Sequence, residues 1–308
     1  MSKNKSRLKL VFGICGVALL AAAALFWPFG PARAACSDGI KDSVGVSNGT
    51  VDKPVNESVN EPVREGKASQ PKTDQAIPAG AQILLDVYPD CIKGYQDGNL
   101  VMADGTTITY DDKKEKSFIQ KLDDADPEDM FAFTYDRQSW TPDFLQDAGR
   151  SRCEALFKKM YGASAALVRK NLVSVSWFGE KVQFTKVNHA DDSLRAVAAE
   201  LAKHPELKKY LKSSGTFYWR KVRGANRQSA HSYGMTIDIG VKFSDYWLWK
   251  NPGKKETDKI TYANRFPHEL VEIFERHGFI WGGRWYHYDT MHFEFRPEIL
   301  KSAAMNNQ

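Results

Sequence analysis

The sequence predicts an α+β fold: a small antiparallel sheet with helices packed on one face, preceded by a β-rich lead-in. Three patterns predict it. Residues 235–239 and 291–295 alternate between two side-chain classes with the period of two that a strand imposes. Leu194, Val197, Ala198 and Leu201 recur at the spacing of one helix face, behind Asp191 and Asp192, which offer N-caps. Asp97-Gly98-Asn99 and Ala103-Asp104-Gly105 stand between short β-prone runs, as hairpin turns do.

From the N-terminus, Lys3, Lys5, Arg7 and Lys9 precede an apolar run over 10–27, followed by small residues at Ala32 and Ala34. This is the order of a secretory signal, and the run is also near the lower limit of about 17 to 25 residues for a membrane span. Residues 1–35 are therefore expected to be a signal peptide or an N-terminal membrane anchor, with lipidation at Cys36 as a third fate. Either way the rest of the chain is expected outside the cytoplasm, in the periplasm or cell envelope.

Residues 36–80 hold no aromatic side chain, repeat Val-Asn-Glu and are dotted with proline. Such a segment buries too little apolar surface to offset its ordering entropy, so a disordered linker is expected, reaching on the order of 35 Å as a coil. Residues 81–149 form the β-rich lead-in, beginning with the apolar run 83–88. The main domain, 150–308, opens with helical stretches near 150–160 and 163–171. Strand-like runs at 172–178 and 182–187 follow, then the helix behind Asp191 and Asp192, which Pro205 interrupts.

Of four cysteines, Cys91 and Cys153 fall in the folded part; a bridge between them is the preferred pairing, with two buried thiols as the alternative. The net charge of +5 comes with no Lys/Arg block interleaved with aromatics, so nucleic acid is not an expected partner. No phosphate-cradling glycine loop is present, so neither a nucleotide nor an organic cofactor is expected.

Most histidines and aromatics lie in the last hundred residues. In the segment 229–240, Gly234 permits a tight turn between His231 and the strand bearing Asp238. A loop imidazole and a strand carboxylate that converge form a ligand pair zinc accepts, although a capped turn with Asp238 paired to an arginine has the same spacing. In the segment 278–295, Met291, Phe293 and Phe295 share one strand face while His292 and Glu294 share the other. Asp289 lies three residues before His292, near enough to act on water without ligating. Three protein ligands and an open fourth position mark catalytic zinc; Glu294 is expected to orient a ligand histidine rather than to ligate.

These residues resemble a known family, the zinc D-alanyl-D-alanine carboxypeptidases of VanX/VanY type and the related L-alanyl-D-glutamate endopeptidases of phages and bacteria. Ser229, His231, Gly234 and Asp238 carry the resemblance, with Trp281, Gly282, Gly283, Trp285, Asp289, His292, Phe293 and Glu294. It covers roughly residues 150–298. It implies one zinc per chain on His231, Asp238 and His292, Asp289 as the base that activates water, and a peptide bond of peptidoglycan as the target. Aspartate at 289, with Trp-Gly-Gly upstream and His-Phe-Glu around His292, looks more like the endopeptidase branch, because the carboxypeptidases usually have glutamate there. An arginine upstream of the first ligand is implied as the residue that steadies substrate or oxyanion. Arg220 is the first choice, with Arg223 and Arg227 close by.

Ser229, Trp281 and His287 are expected beside the ligands or the substrate. His189, His204, His268 and His277 are expected at the surface or as caps, and Tyr246, Trp247 and Trp249 in the core or the cleft wall. A monomer is expected, with peptidoglycan peptide as partner and a possible membrane anchor at the N-terminus. The rival reading is an inactive zinc-containing module that binds the cell wall; a domain with no metal is a third.

Overall fold

The computed structural model describes residues 76–306. The expected signal or anchor, Cys15, Cys36 and nearly all of the expected linker lie outside the described residues. Helix α1 (Ala79–Val87) comes first, then strands β1 (Ile92–Gln96), β2 (Asn99–Met102) and β3 (Thr107–Thr109) and helix α2 (Phe118–Asp123). An irregular stretch leads to helices α3 (Glu154–Tyr161) and α4 (Ala165–Lys170), the hairpin β4 (Leu172–Trp177) and β5 (Glu180–Thr185), and helix α5 (Ala190–Leu201). The remainder is β6 (Ser213–Gly215), β7 (Thr236–Ile239), α6 (Trp247–Lys250), α7 (His268–Arg276), β8 (Phe279–Trp281), β9 (His292–Phe295) and α8 (Pro297–Asn306).

The architecture is mixed helix and small antiparallel sheet. β1-β2-β3 form one sheet, β4-β5 a second, and β6-β7-β9-β8 a third. In the third sheet every pairing is antiparallel, with Ile237 opposite Phe293 and Trp281 opposite the same Phe293. Ile237, Trp281 and Phe293 are buried in the main core with Phe274 of α7, whose ring stacks on Phe293 at 3.9 Å.

Two features differ from expectation. The apolar run 83–88 is helical over most of its length rather than extended, and Ala79 and Gly80, expected in the linker, are the first residues of α1. Ala81, Ile83 and Leu84 are buried, and α1 packs on α8, an arrangement between segments too far apart in sequence for local patterning to show. Helices also do not keep to one face. Ile280 points away from the main core and packs with Ile299, Leu300 and Ala303 of α8.

Cys91 and Cys153 are both buried and no disulfide joins them; burial pushes the Cys153 thiol up to about 11. No helix among the described residues is long and apolar enough to cross a membrane.

Candidate metal centre

The register of β7 and β9 builds the site. Asp238 lies directly opposite His292, and Thr236 opposite Glu294. Facing residues of an antiparallel pair project to the same side about 5 Å apart, so these four polar side chains share one face while Ile237 and Phe293 share the other. All four residues of β9 are buried, so the polar face is enclosed rather than solvated.

His231 enters from the turn Ala230–Tyr233, which Ser229 opens and Gly234 ends. Gly234 has φ +68°, and a Cβ there would lie 2.4 Å from Leu172 Cδ2. Glycine alone reverses the chain into β7 at that spot. The turn is held from outside by the Ser229 N–H, donated to the Arg220 carbonyl at 3.0 Å.

His231 Nε2 lies 3.2 Å from Asp238 Oδ2, and His292 Nδ1 lies 3.0 Å from Asp238 Oδ1. Ligand atoms of the three residues lie within 4.8 Å of one another. With bonds of about 2.0–2.1 Å, the edge of a tetrahedral zinc site is about 3.3 Å, close to both separations. The remaining imidazole nitrogens already have partners. His231 Nδ1 is 2.8 Å from the Thr216 carbonyl and 2.8 Å from Thr236 Oγ1. His292 Nε2 is 3.2 Å from Glu294 Oε2. With a metal bound, a proton on His231 Nδ1 and on His292 Nε2 would satisfy these contacts and leave His231 Nε2 and His292 Nδ1 with lone pairs for the metal.

Glu294 is fully buried, which would raise its pKa; Arg152, the His292 contact and Arg296 outweigh burial and hold it down at about 2. It is therefore an anion that accepts from His292, which is the orienting position. Asp238 is held well below the usual carboxylate range because the two histidines outweigh its burial. Asp289 behaves oppositely: burial, then the Asp238 carboxylate, push it up to about 6. Its Oδ1 is shielded from solvent and has no hydrogen-bond partner. The donor set fits zinc on these observations: two imidazole nitrogens and a carboxylate gathered within 4.8 Å, with an uncommitted carboxylate oxygen on Asp289.

The Asp289 turn is itself supported. Its N–H donates to the Gly282 carbonyl at 3.0 Å, and its carbonyl accepts from the His292 N–H at 3.2 Å. Trp281 Nε1 donates to the Thr290 carbonyl at 2.9 Å. A Cβ at Gly282 would stand 2.5 Å from the Asp289 carbonyl oxygen, which explains a glycine beside the tryptophan. Trp285 packs its ring 5.4 Å from that of His292.

His287 is fully enclosed: Nδ1 lies 2.6 Å from Asp147 Oδ2, its backbone N–H donates to Asp147 Oδ1 at 3.0 Å, and Nε2 has no partner. Arg150 Nη1 donates to Asp147 Oδ2 at 2.7 Å and Arg150 Nη2 to Glu256 Oε1 at 2.9 Å. Trp247 is buried with its ring edge-on to His287 at 4.7 Å, Tyr246 is half-buried and pairs with Asp289 through the backbone, and Trp249 is exposed.

The structure does not bring the Arg220 side chain to the triad. It is exposed, and its Nη1 donates to the Lys221 carbonyl at 3.2 Å. Arg223 is exposed too, and Arg227 is buried in ion pairs with Asp123 and Glu256. The other histidines meet surface partners: His189 with Asp192, His204 with Glu206 and Glu269, His277 with Glu200, while His268 stacks on Trp140.

Sequence reasoning missed Asp147, Arg150, Arg152, Thr216, Thr236, Arg296 and Glu298. Arg296 and Glu298 follow the strand motif directly and could have been noticed there. Asp147 lies in an irregular stretch with no periodicity to mark it.

A family model described as D-alanyl-D-alanine carboxypeptidase matches residues 223–295, about a quarter of the chain. That segment includes His231, Asp238, Asp289 and His292, begins after Arg220 and ends before Arg296. No curated protein matches the chain. Over the matched segment the chain is similar to that carboxypeptidase family, which supports a peptidoglycan-related metallopeptidase in general.

Proposed function

We propose that the protein is an exported zinc metallopeptidase that hydrolyses a peptide bond in peptidoglycan stem peptides or cross-links, of carboxypeptidase or endopeptidase type. The observation that carries this reading is the pairing of Asp238 with His292 across β7 and β9, converging with His231 beside an unpartnered Asp289 oxygen.

Zinc, when bound by His231, Asp238 and His292, supplies Lewis-acid chemistry that polarises a carbonyl oxygen and lowers the pKa of water to about 7. Asp289 is the base: a carboxylate with a free oxygen takes the proton from the attacking water and returns it to the leaving amine. Thr216 and Thr236 hold His231, and Glu294 holds His292, so neither imidazole has to reorient during turnover. The Asp147–His287 pair is buried, and the unpartnered His287 Nε2 is the candidate donor or acceptor for a polar group of the substrate. Arg220 is the proposed oxyanion residue; from its exposed position it would have to swing inward when substrate binds. Aspartate rather than glutamate at 289 favours the endopeptidase type. The basic, apolar N-terminus supports a periplasmic or envelope location, with a monomer held near its substrate by the linker.

Mass spectrometry of defined muropeptides incubated with the protein and zinc tests this, beside Asp289→Ala and a chelator-treated sample. Loss of one alanine mass that needs both zinc and Asp289 establishes a carboxypeptidase, and an internal cut establishes an endopeptidase. Zinc bound without any product sinks the enzymatic reading and favours an inactive wall-binding module.

A further inference from the structure

The polar face of the β7–β9 ladder does not end at Glu294. Arg296 Nη1 donates to Glu294 Oε1 at 2.9 Å and to the Gly149 carbonyl at 2.7 Å. Arg296 Nε is bonded to Glu298 Oε1, and Glu298 Oε2 accepts from the Tyr88 hydroxyl at 2.7 Å. Arg152 joins from the side, with Nη1 3.5 Å from Glu294 Oε2 and 2.9 Å from the Gly149 carbonyl. Tyr88, Glu298, Arg296 and Glu294 are all fully buried, and Tyr88 immediately follows α1.

Burying two carboxylates and two guanidinium groups is costly unless each is paired, and here the charges balance within the cluster. A paired buried network has few alternative arrangements, so each member fixes the next. Glu298 is held at both oxygens, by Tyr88 and by Arg296. Arg296 occupies Glu294 Oε1, and Oε2 is thereby turned to His292 Nε2, which directs His292 Nδ1 at Asp238.

We infer that Tyr88, Glu298 and Arg296 are positioning residues of the metal centre, so that a residue at the end of α1, far outside the family-matched segment, helps to aim His292. This rests on the zinc reading of the site.

The test uses the full chain and three variants, Tyr88→Phe, Glu294→Gln and the double variant, with zinc affinity measured by competition against a chromogenic chelator. Partners of a ligand typically contribute 10- to 100-fold in affinity, so a more remote Tyr88→Phe is expected to weaken zinc by about tenfold. Because the effect passes through Glu294, adding Tyr88→Phe to Glu294→Gln should cost less than about twofold more. Imidazole nitrogen resonances of the zinc-loaded protein should show His292 protonated at Nε2 in the wild type and a mixture in Tyr88→Phe. A purely structural Tyr88 would lower the melting temperature and leave zinc affinity and the His292 resonances unchanged, which overturns the inference alone. A wild-type protein that binds no zinc overturns the function proposed above as well. If Tyr88→Phe does not fold, Glu298→Gln, of nearly the same shape, is read by the same two measurements.

Discussion

Asp289 places function and stability in opposition within one side chain. Burial and the neighbouring Asp238 raise it from 3.8 to about 6, so the fold favours its protonated form. Well below pH 4 the folded and unfolded states are both protonated and no penalty exists; as pH rises from about 4 to about 6 the unfolded state ionises first, and the resulting loss of stability is complete above about 6. Asp289→Asn should therefore raise the melting temperature of the chelator-treated protein at pH 7.5, while turnover falls by about 10²- to 10⁴-fold. A calorimetric scan beside a rate measurement checks both, and a lowered melting temperature would count against this account of the carboxylate. The Cys153 thiol is shifted in the same direction. Held at about 11, it should resist alkylation at pH 8 in the native protein and react at once in denaturant, as a mass shift would show.

At the scale of elements, the strands that carry the candidate ligands were legible because their period of two survives in the sequence. His292 and Glu294 alternate with Phe293 and Phe295, and Asp238 alternates with Ile237 and Ile239. The pattern did not reveal that the polar face is enclosed, because enclosure depends in part on Arg152 reaching Glu294 from a distant segment. α1 was misread for a related reason: the run 83–88 is too short for its period to tell a buried helix from a strand, and its partner α8 lies at the other end of the described chain. The Trp281-Gly282-Gly283 sequence shows what a turn requires. Gly282→Ala would push a methyl group against the Asp289 carbonyl, so the expected result is a displaced Asp289, with kcat reduced more than zinc affinity. Equal losses in both would mean that the whole sheet had shifted.

For the whole molecule, the lead-in is part of one body with the zinc-domain candidate. Tyr88 reaches Glu298, Asp147 reaches His287, and Tyr135 donates to Glu275 at 2.7 Å, which also pairs with Arg284. A chain cut to residues 150–308 would keep every proposed ligand yet leave Glu298, His287 and Glu275 short of their buried partners. Unpaired buried polar groups cost about 1–3 kcal/mol each, more when charged, so this fragment is expected to be poorly folded or to melt far below the full chain. Circular dichroism on both lengths decides it; equal melting would show the lead-in to be an appendage.

The contact between Tyr88 and Glu298 spans 210 positions. Contacts between such distant positions form late and slow the folding of a chain. While the polypeptide is being made, the stretch bearing His231 and Asp238 emerges well before α8. Residue 298 has to be free before the last connection closes. The hydrogen-bonded chain that runs from Tyr88 to His292 is thus complete only once almost the whole polypeptide has been delivered.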